Sequence, residues 1–188
     1  MECAECGASY PSPQMIDGIA YFVCAQCGNL HELDDYQLLD LAGQAARFAR
    51  ESGFTLPAAY LDYAGRSGSW MVRVPPAQSE SLNGYFGDGF YEIGQFFDLD
   101  PWRDHGSVFN SAELCDEWGL PDKLVLIDGD GHSWLALDYR RPGEPAVIVI
   151  ETDEMESLKV ANSFAEMVAA LVPYESVYDA EGNRIDQI

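Results

Sequence analysis

Residues Leu124 to Ile150 constrain the fold more than any other stretch of the chain. Leu124-Val125-Leu126-Ile127 is an apolar run closed by Asp128-Gly129-Asp130-Gly131. Asp-Gly between apolar runs marks a hairpin, because these residues accept the φ > 0 backbone of a tight turn. Loops of two, four or five residues all fit the spacing. Ser133 to Tyr139 is the return strand, with Trp134 and Ala136 on one face and Leu135, Leu137 and Tyr139 on the other. Pro142-Gly143-Glu144-Pro145 breaks the chain again. Ala146 to Ile150 then reads as a third strand, and β-branched residues on both of its faces predict a central position covered on both sides. A calcium-loop reading of Asp128 and Asp130 fails, since Ser133 and Tyr139 stand where that loop needs Gly and Glu. An acidic turn is what remains.

The second constraint lies at the N-terminus. Cys3-Ala4-Glu5-Cys6 and Cys24-Ala25-Gln26-Cys27 form two C-x2-C pairs separated by seventeen residues. Each pair can aim two sulfurs at one ion, and two pairs complete a tetrahedron. Gly7 and Gly28 follow the second cysteine of each pair, where the knuckle needs a permissive backbone. Ile19 to Val23 reads as a short strand leading into the second pair. The expectation is a zinc ribbon over residues 1–32, with Cys3, Cys6, Cys24 and Cys27 holding one structural Zn2+ and no position left for catalytic water. Disulfide pairing and a redox C-x2-C are the competing readings. A cytoplasmic chain disfavours the first, and neither pair stands at the strand-to-helix junction of a thioredoxin-like site. His31 is a spare imidazole close to a complete ligand set.

The rest of the chain is punctuated by caps and breakers. Asp34 or Asp35 opens a helix that Gly53 ends, with Tyr36, Leu38, Leu39, Leu41, Ala42, Ala45, Phe48 and Ala49 on its apolar face. Pro57 starts a short helix through Ala64. Trp70 to Val74 and Phe90 to Ile93 read as strands. Asn110 with Glu113 reads as a capping box for a helix to Trp118, and Ser163 with Glu166 as another. The segment from Glu175 onward is expected to trail over the surface.

Catalytic patterns are missing. Gly84, Gly87 and Gly89 lack the Lys and Ser/Thr of a phosphate loop. Cys115, His105 and His132 do not assemble a nucleophile, a base and an orienting group in sequence. No enzyme is expected. No apolar run reaches the length of a membrane span, and no basic-then-apolar leader opens the chain, so the cytoplasm is the expected location. Ten Lys and Arg against 32 Asp and Glu give a formal net charge of −22. A balance of that sign repels phosphate backbones and anionic lipid and attracts basic partners.

Several pieces in order, Leu56-Pro57-Ala58-Ala59-Tyr60-Leu61, Tyr91-Glu92-Ile93-Gly94-Gln95-Phe96, Leu120-Pro121, Gly129-Asp130-Gly131 leading to Trp134-Leu135-Ala136-Leu137-Asp138, Pro145-Ala146-Val147, and Ala161 to Met167, resemble the SUKH superfamily. The branch is that of the fungal cell-wall-synthesis regulators and their bacterial relatives. Where that family often carries Asn-Gly-Gly, this chain has Gly65-Arg66-Ser67-Gly68-Ser69. The resemblance implies an α+β domain over residues 33–188, with a mostly antiparallel sheet and helices packed against it. It also implies an immunity protein that binds and neutralises a cognate bacterial toxin, often a nuclease with a basic cleft, through an acidic surface. The candidate contacts are Phe86, Asp88, Asp98, Asp100, Trp102, Asp104, Asp128 and Asp130, aromatic anchors among loop acids. The alternative expectation is a regulatory interaction module that docks through its zinc ribbon to signalling or cell-wall machinery.

Overall fold

The strands among the described residues form three antiparallel sheets. The computed structural model describes residues 3–8, 14–17, 19–32, 40–76, 86, 88–103, 105–153 and 155–185. The first sheet joins β1 (Gln14–Ile16), β2 (Ile19–Val23) and β3 (Leu30–Glu32) in that order. Helix α1 (Leu41–Ser52) begins where the Asp40 carboxylate accepts the Gly43 N–H at 2.8 Å. It ends at Gly53, whose φ of 78° supplies the left-handed cap that the sequence predicts. The expected caps Asp34 and Asp35, and Tyr36, Leu38 and Leu39 of the expected apolar face, lie outside the described residues.

The second sheet holds β4 (Ser67–Arg73), β5 (Phe90–Gln95) and β10 (Val172–Pro173), in the order β10-β4-β5. The third holds β6 (Leu124–Gly129), β7 (Ser133–Asp138), β8 (Ala146–Glu151) and β9 (Glu156–Ala161) in sequence order. Three short helices are also described: α2 (Ala58–Leu61), α3 (Ser111–Glu117) and α4 (Phe164–Ala169). The class is α+β with antiparallel sheets, as the resemblance implies. Tyr60 on α2 and Phe164 on α4 meet edge to face at 5.0 Å, with Phe96 against Phe164 at 5.6 Å. Those rings cover the seam between the second and third sheets.

A bulge makes that seam. Leu126 pairs with Ala136, but the next pair is Asp128 with Leu135, so Ile127 is the extra residue. Its carbonyl leaves the ladder and accepts the Phe97 N–H at 2.8 Å. Strand β8 is buried from Val147 to Glu151 and is flanked by β7 and β9, which is the central position its sequence predicts. The β6–β7 loop is the four-residue form: Gly129 pairs with Trp134, leaving residues 130–133 outside the ladder. The Asp130 carboxylate stitches it by accepting the N–H groups of His132 at 3.0 Å and Ser133 at 3.2 Å.

Three expectations need correction. The capping box near Asn110 sits one turn earlier: Ser107 caps a 3-10 turn over Val108–Asn110, Asn110 Oδ1 accepts the Ser107 N–H, and α3 starts without a side-chain cap. Strand β9 was not expected, because the acids of Glu151 to Glu156 hide the short alternation of Leu158 and Val160 with Ser157 and Lys159. The C-terminal segment does not trail away. Val177 and Tyr178 are buried with Met71 and Phe90, and Tyr178 Oη donates to Asp88 Oδ2 at 2.8 Å. Among the described residues no helix is long and apolar enough to cross a membrane.

Candidate functional site

The two C-x2-C segments fold into matching knuckles. Gly7 N–H bonds to Cys3 C=O and Cys3 N–H to Ala8 C=O, both at 2.8 Å. Gly28 to Cys24 and Cys24 to Asn29 repeat the pattern at the same length. Gly7 and Gly28 share a φ of 72°, a left-handed value that a side chain would strain.

The four sulfurs converge. Cys3 Sγ lies 3.6 Å from Cys27 Sγ, and Cys6 Sγ lies 3.5 Å from Cys24 Sγ. All four ligand atoms lie within 4.8 Å of one another. A tetrahedral ion with bonds to sulfur of about 2.3 Å needs sulfur–sulfur edges of about 3.8 Å, so the donor set fits one soft ion. Disulfides need sulfurs about 2.0 Å apart, and the five cysteines are free thiols. The backbone contributes charge stabilisation. The N–H of Cys27, with that of Gln26, holds the Cys24 thiol below its ordinary value against the opposing effect of burial. Cys27 moves the other way, to about 12: the Asn29 N–H that lowers it is outweighed by the Cys24, Cys3 and Cys6 sulfurs and by burial. Four crowded sulfurs cannot all ionise without a cation among them. His31 is exposed on β3 and stands apart from this donor set.

The knuckles are docked against the larger domain. Cys3, Phe22 and Cys24 are each 1–2 % exposed and pack with Trp102. Phe22 meets the Trp102 ring edge to face at 5.4 Å, and the Arg47 guanidinium on α1 lies 5.5 Å from the centre of the same indole. Trp102, expected as an anchor for another protein, is thus half-buried beneath this chain's own cysteine module.

The other expected contact residues fall into separate groups. Asp98 and Asp100 build the loop after β5: Asp98 accepts the Asp100 N–H at 3.0 Å and pairs with Arg103 Nε at 2.8 Å, while Asp100 accepts the Trp102 N–H at 3.0 Å. Desolvation, the largest influence, raises the Asp98 carboxyl above its ordinary range despite the neighbouring N–H and Arg103. Asp128 is half-buried at the seam between the sheets. Burial pushes its pKa up to about 7, although the Tyr91 phenol and the Gln95 and Gly129 N–H groups pull it down. Asp130 is exposed on the hairpin loop. Phe86 and Asp88 sit near the start of β5, with Phe86 6.0 Å from the Tyr91 ring and Asp88 tied to Tyr178. Asp104 lies outside the described residues.

Two clefts open on the larger domain. One, of about 480 Å3, has Phe48, Phe109 and Leu120 in its wall, with Cys115 8 % exposed among them. Burial, then the Asp122 charge, pushes that thiol up to about 11, so it stays protonated at neutral pH as an inert core residue. The other, of about 490 Å3, lies between the β6–β7 loop, the end of α3 and the loop that carries Arg103 and His105. Its wall includes Glu117, Trp118, Asp130 and Trp134. Trp118, just past the end of α3, is 36 % exposed. The sequence carried one signal, an acid and a tryptophan adjacent at a helix end.

No curated protein and no solved structure gives a significant match. The sequence model of the SMI1 / KNR4 family (SUKH-1) matches residues 42–170. That span runs from α1 through α4 and takes in all four strands of the third sheet, and the chain belongs to this family.

Proposed function

We propose that the protein is a non-enzymatic immunity protein that binds a basic bacterial toxin domain, of the nuclease kind, and neutralises it. Family membership over residues 42–170 carries this reading, since proteins of the SUKH type act by binding other proteins. The net charge of −22 supports it, because a strongly acidic surface steers a basic domain into contact and occupies the cleft that would hold nucleic acid. Residues 1–32 form a zinc ribbon on the larger unit, 33–188. Zinc is the ion that four closely spaced cysteines select in a reducing compartment, here with a structural role. The cytoplasm is the working compartment.

Co-expression with the products of neighbouring reading frames tests the reading. The expected result is a stable complex with one basic product, loss of that product's toxicity, and an association rate that falls steeply with added salt. A neighbourhood with no toxin domain, and no basic product retained, would sink it. One observation favours a second reading, a regulatory module docking through the ribbon: Ile16 on β1 and Leu30 on β3 are 38 % and 51 % exposed. Leu30→Ser separates the two, because it would weaken a ribbon-docked partner and leave toxin binding intact.

A further inference from the structure

The geometry points to the cleft beside the β6–β7 loop as the seat of an arginine side chain presented by the partner protein. This rests on the immunity reading above and names the group that would be recognised. Trp118 forms one wall and is held in place from below: Gly131 has a φ of 97°, and a Cβ there would meet the Trp118 ring at 2.7 Å. An indole fixed in this way, with 36 % of its surface open, offers a flat face to a flat cation.

Two carboxylates in the same wall, Glu117 and Asp130, have no cationic partner among the described residues. Asp130 spends Oδ1 on the two N–H groups of its own loop, which leaves Oδ2 for a guest. The cation already in the wall is taken, since Arg103 Nε bonds to Asp98 at 2.8 Å. Trp134 also lines the cleft; it is 4 % exposed, and its buried indole N–H has no hydrogen-bond partner among the described residues. A guanidinium supplies planar, paired donors and stacks on an aromatic ring, which an ammonium does less well. The cleft of about 490 Å3 is within the range of built pockets.

The test uses the full chain and a capped Gly-Arg-Gly tripeptide, followed through the indole N–H resonances. Trp118 and Trp134 should shift and Trp70, on the second sheet, should not. Replacing arginine by citrulline should weaken binding about tenfold or more, the worth of a charge-assisted hydrogen bond, and lysine should bind several-fold more weakly. Asp130→Asn keeps the Oδ1 acceptor that holds the loop and removes the charge; it and Glu117→Gln should each weaken binding about five- to tenfold. Asp122→Asn, a wall residue of the other cleft, should change little. Equal binding of the arginine and citrulline peptides, an unmoved Trp118, or equal loss with Asp122→Asn would overturn the assignment. A toxin that binds Glu117→Gln and Asp130→Asn as tightly as the wild type would overturn the cleft and leave the immunity reading standing. Peptide binding with the expected selectivity, but no toxin captured, would do the reverse.

Discussion

The cysteine module and the β6–β9 sheet hold together by opposite means. The sheet buries long apolar side chains in register: Leu126, Ile127, Leu135, Ala136, Leu137, Val147 and Val149 are all 0 % exposed. Among the described side chains the module's buried core is Cys3, Phe22 and Cys24, and two of those three are candidate ligands. So small an apolar cluster contributes little against the conformational entropy of ordering three short strands. Its cohesion comes from whatever joins the sulfurs, together with the Phe22–Trp102 contact that seats it on the larger domain. One chain thus combines a part built around four converging sulfurs with a part built around buried apolar side chains.

Metal removal should break this comparison most forcefully. A structural tetrathiolate zinc is worth about 10–16 kcal/mol to a small domain near neutral pH. Chelation, or Cys24→Ser, should release about one zinc per chain and expose the amides of residues 3–8 and 19–32 to hydrogen exchange, while the β6–β9 amides stay protected. Co-operative loss of both regions would show that they do not fold separately. The converse change is Leu135→Ala, at a fully buried position in β7. It should cost about 3–5 kcal/mol in denaturant unfolding and leave metal content unchanged. A chain that lost zinc on this substitution would again refute the division.

A smaller effect sharpens the picture at the seam between the second and third sheets. Asp128 is displaced from an ordinary value of 3.8 to about 7, with burial as the leading cause. The folded state therefore binds a proton that the unfolded state has released between about pH 4 and 7. Stability from this group is present below the lower value and declines as pH rises through the upper one. Full displacement corresponds to about 4 kcal/mol, and solvent screening at a partly exposed site leaves about half of that. Asp128→Asn should flatten the fall between about pH 4 and 7 and stabilise the protein at pH 8 by about 2 kcal/mol. Urea titrations at pH 5 and pH 8 measure this directly, and an unchanged pH slope would show that Asp128 is not the seam's titrating group.

The legible parts of the fold were the local ones. Cysteine spacing foretold the converging sulfurs, since each knuckle closes within a few residues. The Asp-Gly pattern foretold the β6–β7 hairpin, and Ser163 with Glu166 foretold α4, whose N-cap Ser163 Oγ accepts the Glu166 N–H at 3.1 Å. Pairings distant in sequence were not legible. Trp102 looked like a free aromatic anchor because the Phe22 that covers it lies far earlier in the chain. The C-terminal segment looked unattached because Asp88 and Phe90, which hold Tyr178 and Val177, belong to another strand's neighbourhood. The clustering of Glu117, Trp118 and Asp130 required the packing of α3 against β6, which no periodicity encodes.

The carbonyl that Ile127 turns sideways also closes one rim of the four-stranded sheet. With the Phe97 N–H joined to it and the Gln95 N–H on Asp128, the β6 flank of the four-stranded sheet is sealed from within. The opposite flank is β9, six residues long, with a register break against β8 and with Lys159 pointing outward. A short, irregular, charged rim is a poor template for stacking strand upon strand. The sheet that supplies most of the hydrophobic cohesion is thereby guarded at both ends against growth into fibres.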